Sequence, residues 1–94
     1  FEFQGFIDVP ATGVYRFYIR SDDGSRLWLD DALAVDNDGL HSSRELSSAV
    51  ALEQGLHPLR VAMFEQSGGF ELGVSWSGPG LQKQPVPARV LRRK

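Results

Sequence analysis

The segment that decides the fold of this chain is VYRFYIRS, residues 14–21. Its side chains fall into two alternating sets, of which one is Tyr15, Phe17 and Ile19 and the other is Arg16, Tyr18 and Arg20. Because successive side chains of a β-strand point to opposite faces, this period of two predicts a strand with one buried face. Residues 70–77, FELGVSWS, alternate in the same way and predict a second such strand.

The rest of the chain repeats this pattern of short strands separated by turns. Further strands are predicted over residues 1–9, 26–30, 32–35, 46–52 and 59–64, with Asp30-Asp31 as a tight hairpin turn and residues 36–39 as a polar loop. Ten Gly, five Pro and no long helical pattern favour many short strands. We therefore predict one all-β domain over residues 1–94, an antiparallel, jelly-roll-like β-sandwich of about seven strands.

Composition narrows the functional classes. A formal net charge of −2 argues against nucleic acid as a partner, and we interpret the basic C-terminal cluster (Arg89, Arg92, Arg93 and Lys94) as a solvated tail or linker. No apolar run approaches the ~20 residues of a membrane span, and there is no Cys for a disulfide or a thiolate site. The chain begins on a strand-like pattern without Met, so we expect it to be part of a larger multidomain protein.

The candidate chemistry lies in acidic loops, above all Asp22-Asp23. Catalysis is disfavoured, because a small sandwich has little depth for a cleft and neither His41 nor His57 adjoins a nucleophile motif. We expect His41 to hydrogen-bond within its loop and His57 to lie at the surface. Calcium binds six to eight oxygen ligands, which loops supply well, but carboxylates in turns more often cap the backbone. The spacing alone therefore leaves both roles open and favours the turn cap.

The order of motifs resembles that of the protective-antigen (PA-14) domain family. The resemblance rests on GVYRF (residues 13–17), SDDGSRLWLD (21–30), VDNDG (35–39), GLH (55–57), LRV (59–61) and Trp76. It covers nearly the whole chain in the same order, and it implies a β-sandwich accessory module of the kind found in glycosidases, adhesins, toxins and bacterial surface proteins.

The resemblance also implies a site. In lectin-type members, two consecutive Asp residues joined by a cis peptide hold a calcium ion that coordinates vicinal sugar hydroxyls, and these correspond to Asp22 and Asp23. A second, Gly-rich loop supplies further oxygens, which gives the metal ligands Glu65, Gln66, Ser67 and Gly69 here. The implied carbohydrate-binding residues are Asp22, Asp23, Gln66, Gly68 and Phe70. Trp28 is a further stacking candidate, although its pattern and that of Phe70 suggest the core.

Departures from the lectin-type members affect the sugar rather than the fold. Yeast members have Asn where Glu65 or Gln66 stands here, and they carry disulfides that a chain without Cys lacks. We therefore expect a non-catalytic, calcium-dependent carbohydrate-binding module at the cell surface, outside the cell or in the periplasm. Its expected partners are glycans and other domains of the parent chain. The alternative is a structural or docking domain without a ligand of its own.

Overall fold

A computed structural model describes residues 2–21, 24–37, 44–63 and 73–94. These residues form nine strands: β1 Glu2–Val9, β2 Gly13–Ser21, β3 Ser25–Leu29, β4 Ala32–Asn37, β5 Arg44–Leu52, β6 Gly55–Met63, β7 Val74–Gly78, β8 Leu81–Pro85 and β9 Leu91–Arg93. A 3₁₀ turn, Ala88–Val90, precedes β9. Within the described ranges there is no helix long and apolar enough to cross a membrane.

The strands form two antiparallel sheets that enclose one core. The five-stranded sheet has the order β4-β3-β6-β1-β9 and the four-stranded sheet has the order β5-β2-β7-β8. The long ladders β1–β6 and β2–β5 keep an unbroken register, with Val9 opposite Gly55 and Gly13 opposite Leu52. The predicted all-β antiparallel sandwich is therefore confirmed.

The core is built from alternate residues of the facing sheets. Tyr15, Phe17 and Ile19 on β2 are fully buried, as the sequence predicted, and Leu27, Leu29, Leu59 and Val61 meet them from the other sheet. The ring of Trp76 stacks on Tyr15 with centroids 5.6 Å apart and lies 6.0 Å from Phe17. A Cβ on Gly78 would lie 2.4 Å from the Tyr15 ring, so the absence of a side chain there makes room for this aromatic cluster.

Short connections lie at one end of the sandwich. At the turn between β3 and β4, Asp30 and Asp31 both have positive φ, 52° and 65°, which is the conformation of a type I′ hairpin. The other connections at this end span residues 10–12, 53–54 and 79–80. At the opposite end lie the strand ends that flank residues 22–24, 38–43 and 64–73, of which the last two are longer than any link at the first end.

Several expectations from the sequence were wrong in detail. Asp36 and Asn37 belong to β4, and Asn37 is fully buried, where a polar loop was expected. The basic C-terminus is not a free tail, because β9 pairs with β1 and places Arg92 opposite Phe6. Trp28 is not a core residue: it is half-buried on the outer face of the five-stranded sheet, because β3 turns Leu27 and Leu29 inward.

The Tyr15 hydroxyl links the turn at residues 10–12 to the core through two hydrogen bonds with Ala11. It donates to the Ala11 carbonyl and accepts from the Ala11 N–H at 3.2 Å. Tyr15→Phe should lower the free energy of unfolding by about 1–2 kcal/mol, since two partly buried backbone groups lose their partner. The control is Tyr18→Phe, which loses one 3.3 Å contact with Ser77 on the outer face and should cost below about 0.5 kcal/mol. Equal losses in urea titrations of the two variants would contradict this assignment.

Candidate functional site

The strand ends that flank the two predicted ligand loops meet at one end of the sandwich. We call this end the loop pole and define it by Ser21, Ser25, Asn37, Met63 and Val74. Ser25, at the start of β3, is paired with Met63 at the end of β6. Val74, at the start of β7, is paired with Ile19 two residues before the end of β2. The chain therefore enters and leaves segments 22–23 and 64–72 at the same place.

A close contact joins the two sheets at this pole. A Cβ built on Gly73 would lie 2.2 Å from Cε of Met63 and 3.5 Å from the carbonyl oxygen of Arg20. Met63 ends the strand before segment 64–72 and Gly73 follows that segment, so its two flanking residues touch. A side chain at residue 73 would require the end of the Met63 side chain to move.

A buried hydroxyl pair brackets the predicted aspartate pair. The Oγ atoms of Ser21 and Ser25 lie 2.7 Å apart, and both residues are fully buried. Ser21 ends β2 and Ser25 begins β3, so this hydrogen bond links the two sheets across residues 22–24. The two described residues at the ends of this connection are therefore held close to each other.

Asn37 extends the buried network to two more strands. Its Nδ2 donates to the carbonyl oxygens of Arg44 at 3.2 Å and Ile19 at 3.5 Å, and lies 3.5 Å from Ser21 Oγ. Its Oδ1 accepts from Arg44 Nε at 2.7 Å. One amide thus joins the ends of β2, β4 and β5, and we regard it as the central support of the pole.

All the predicted ligand residues lie outside the described parts of the chain. They are Asp22, Asp23, Glu65, Gln66, Ser67, Gly68, Gly69 and Phe70, together with the expected cis peptide and His41. Within the described ranges no group of three or more His, Asp or Glu could hold a metal ion.

His57 is not the simple surface residue that was expected. Its Nδ1 lies 2.9 Å from Asp30 Oδ1, its Nε2 lies 2.6 Å from the Glu53 carbonyl oxygen, and its side chain is 16% exposed. Since both partners only accept, satisfying both requires both ring nitrogens to carry a proton. Burial alone would lower the pKa of His57, but the hydrogen bonds to Glu53 and Asp30, with their negative charges, leave the pKa above its ordinary value.

The ion pair of His57 belongs to the short-turn end of the molecule. It joins the β3–β4 hairpin, through Asp30, to the turn before β6, through Glu53. It therefore stabilises the end of the sandwich that carries the short turns and is not part of the loop pole.

The sequence carried only a weak signal for the buried network. Ser21, Ser25 and Asn37 are small polar residues beside loops, a position in which they more often cap turns. What could have suggested burial is their place in the alternation: Ser21 continues the inward set of Tyr15, Phe17 and Ile19, and Asn37 continues that of Val35.

Similarity to known proteins shows the family of the chain. The sequence profile of the PA14 domain family matches residues 1–89, and the chain belongs to that family. A curated relative, the anti-sigma-I factor RsgI3 of Acetivibrio thermocellus, is 28% identical over 88 residues, which are 93% of this chain and 14% of that protein. The chain thus spans a small part of its relative.

Solved structures are similar over nearly the whole chain. An anti-sigma factor domain-containing protein from Clostridium clariflavum is 28% identical, with a TM-score of 0.78, over 99% of this chain and 32% of that one. A second anti-sigma factor domain-containing protein is 26% identical with a TM-score of 0.86, over 99% of this chain and 33% of that one. The suspected PA14 family is confirmed by the sequence profile, and the solved structures show that the same fold occurs in proteins with anti-sigma factor names.

The central role of Asn37 gives a testable stability effect. Asn37→Ala should lower the free energy of unfolding by about 2–3 kcal/mol, because it removes several buried hydrogen bonds and leaves backbone carbonyls without donors. Asp36→Ala on the same strand is the control. It removes an exposed ion pair with Arg26 and should cost at most about 1 kcal/mol. Similar midpoints for the two variants in urea unfolding would refute the proposed support.

The His57 ion pair predicts a pH dependence. A pKa that is higher in the folded than in the unfolded state stabilises the fold fully below the unfolded value of about 6.5, and this contribution disappears as pH rises through the folded value. His57→Gln should therefore reduce stability more at pH 5.5 than at pH 8.5, measured by urea unfolding at both. Asp30→Asn, which keeps a side chain suited to positive φ, should weaken the same dependence. A pH-independent difference between native protein and His57→Gln would contradict the ion pair.

Proposed function

We propose that this domain is a non-catalytic, calcium-dependent carbohydrate-binding module of a larger extracellular protein. The observation that carries the proposal is the convergence of strand ends at the loop pole. Ser21 and Gly24 flank the aspartate pair, and Met63 and Gly73 flank the Gly-rich segment. The pairings Ser25–Met63 and Ile19–Val74 bring the described residues that flank both candidate ligand segments close together.

The chemistry of the two segments suits calcium. Asp22 and Asp23 bring two carboxylates, while segment 64–72 brings Glu65 and Gln66 and the glycines at 68 and 69. Calcium accepts six to eight oxygens at about 2.3–2.6 Å, from carboxylates, amides and backbone carbonyls, and keeps sites for exchangeable ligands. Two neighbouring hydroxyls of a sugar can replace two of its waters. In this proposal the protein holds the calcium ion, and the ion coordinates the hydroxyls of the sugar.

The relatives suggest what such a module would serve. The curated protein and both solved chains carry anti-sigma factor names, and in each this domain accounts for a third or less of the chain. We propose that the domain is the ligand-sensing part of a protein of this kind, at the cell surface or outside the cell. Its glycan would be a polysaccharide at that surface, and its protein partners would be other domains of the same chain.

A docking role is the second candidate, and the edge strand β5 favours it. Residues 46–52 contain no charge and no Pro, and the inward-directed side chain of Leu46 is 38% exposed. Edge strands are normally shielded by charge, Pro or bulges, as β8 is by Lys83 and Pro85. An unshielded edge of this length could pair with a strand of a neighbouring domain.

Calcium binding should be visible as thermal stabilisation. An ion that binds only the folded state stabilises it by about 2.7 kcal/mol at a hundredfold excess over its Kd, so millimolar calcium should raise Tm by several degrees. Differential scanning calorimetry in calcium and in a chelator measures this difference. An unchanged Tm at all calcium concentrations would refute the metal site and favour docking through β5.

The aspartate pair should carry both metal and sugar binding. Asp22→Asn and Asp23→Asn should each abolish the calcium-dependent rise in Tm and calcium-dependent binding on a glycan array, since each removes a ligand charge. The matched control is Asp8→Asn on β1, whose carboxylate pairs with Arg92 on an outer face and should affect neither. If both pair variants retained chelator-sensitive glycan binding, the ligand assignment would be wrong.

A further inference from the structure

The outer face of the five-stranded sheet carries a shallow cavity of about 460 Å³. It lies over the central strands β1, β3 and β6, on the face opposite the core, and it is separate from the loop pole. Its volume falls within the range of about 300–1,000 Å³ that is typical of sites for small ligands. The register of the strands accounts for its position, because Phe6 lies opposite Pro58 and Trp28 lies opposite Arg60.

The floor of the cavity is apolar. Phe6, Trp28 and Pro58 are each half-buried there, on neighbouring strands. Pro58 is compatible with a central strand because its carbonyl accepts from Asp30 N at 3.0 Å, where β3 has already ended. In a β-strand the N–H and C=O of one residue point to the same side. The N–H that Pro58 lacks would therefore point toward the β3–β4 hairpin turn. The pyrrolidine ring adds a flat apolar surface beside the two aromatic rings.

Arg60 forms one wall and is held in place. Its guanidinium lies 4.5 Å from the centroid of the Trp28 ring. Glu2 Oε2 accepts from its Nε at 3.2 Å and lies 3.1 Å from its Nη2. Because Glu2 already pairs with this cation, the wall offers oriented N–H donors with little net charge.

The rim carries polar groups with unused hydrogen-bonding capacity. Gln4, Asp31 and Lys94 line the cavity. Within the described parts of the chain, the side chains of these three residues have no hydrogen bond or ion pair with other protein groups. They supply an amide, an acceptor-only carboxylate and a donor-only ammonium around one apolar floor.

We propose that this face is a second carbohydrate-binding site, which needs no metal and binds a neutral oligosaccharide. A sugar ring presents C–H faces that stack on aromatic and proline rings and hydroxyls that both donate and accept. Trp28, Phe6 and Pro58 provide the first surface, and Gln4, Asp31 and Arg60 provide partners of both kinds. The inference goes beyond the calcium site and stands without it.

Other occupants fit this cavity less well. A nucleic acid needs a surplus of cations, whereas Arg60 is paired with Glu2 and Lys94 shares the lining with the carboxylate of Asp31. A protein partner needs a broad apolar core excluding charge, and here charged groups surround a floor only three rings wide. A narrow apolar floor with a few polar groups on its rim suits a ligand that presents both C–H faces and hydroxyls.

The test is binding in the presence of a chelator. Cellohexaose, xylohexaose and mannohexaose are titrated into the ¹⁵N-labelled domain with EDTA, and NMR follows the two indole N–H signals. At least one hexasaccharide should shift the Trp28 signal in a saturable way and leave that of Trp76 unmoved, since Trp76 is 2% exposed in the core. Asp22→Asn should not change this binding, which separates the outer face from the loop pole.

Variants locate the site. Trp28→Ala should weaken binding about tenfold and Asp31→Asn about threefold, the latter with the hairpin turn intact because Asn tolerates positive φ. The matched control is Tyr18→Ala, which removes a half-buried ring under the Lys83 cation (4.3 Å from its centroid) on the opposite sheet and should change nothing. No shift of the Trp28 signal with any hexasaccharide would overturn the inference. Binding that disappears with EDTA would also overturn it while supporting the calcium site.

Discussion

The structure depends on the packing of Trp76 against Tyr15 and Phe17 in the interior. Trp76 lies on β7 and the other two rings lie on the neighbouring strand β2, so the contact fixes the centre of the four-stranded sheet. The rings also form the surface on which Leu27, Leu29, Leu59 and Val61 of the other sheet pack. Large aromatic rings bury much apolar area with few rotatable bonds, which matters in a chain of 94 residues. The space over Gly78 is a direct requirement of this packing.

The strand interiors were predictable because their alternation records which face is buried. The inward set of β2 and the type I′ hairpin at Asp30-Asp31 could be predicted from the sequence for this reason. Trp28 is an exception, because it was expected in the core. Leu27 and Leu29 point inward from β3, so the alternation directs Trp28, which lies between them, to the outer face.

Other features depend on contacts between distant segments, which a local pattern does not contain. β9 is three residues long with two Arg, and it is a strand only because β1 offers a free edge. Asn37 is buried because Ile19, Ser21 and Arg44 all approach it. For the candidate site, the sequence supplied residue types and the family supplied roles. The structure adds that the residues flanking segments 22–23 and 64–72 lie close together, which neither the residue types nor the family resemblance shows.

The two ends of the sandwich bear different constraints. Links of two or three residues, at residues 10–12, 30–31, 53–54 and 79–80, leave the chain few alternative paths, and the His57 ion pair fastens two of them together. The links at the loop pole emerge from strands that are already fixed by Asn37 and by the Gly73–Met63 contact. Segments 38–43 and 64–72, which are six and nine residues long, could therefore be exchanged or lengthened with little effect on strand register. Such a scaffold can acquire a new ligand preference by loop replacement alone, with one set of interior residues serving many surfaces.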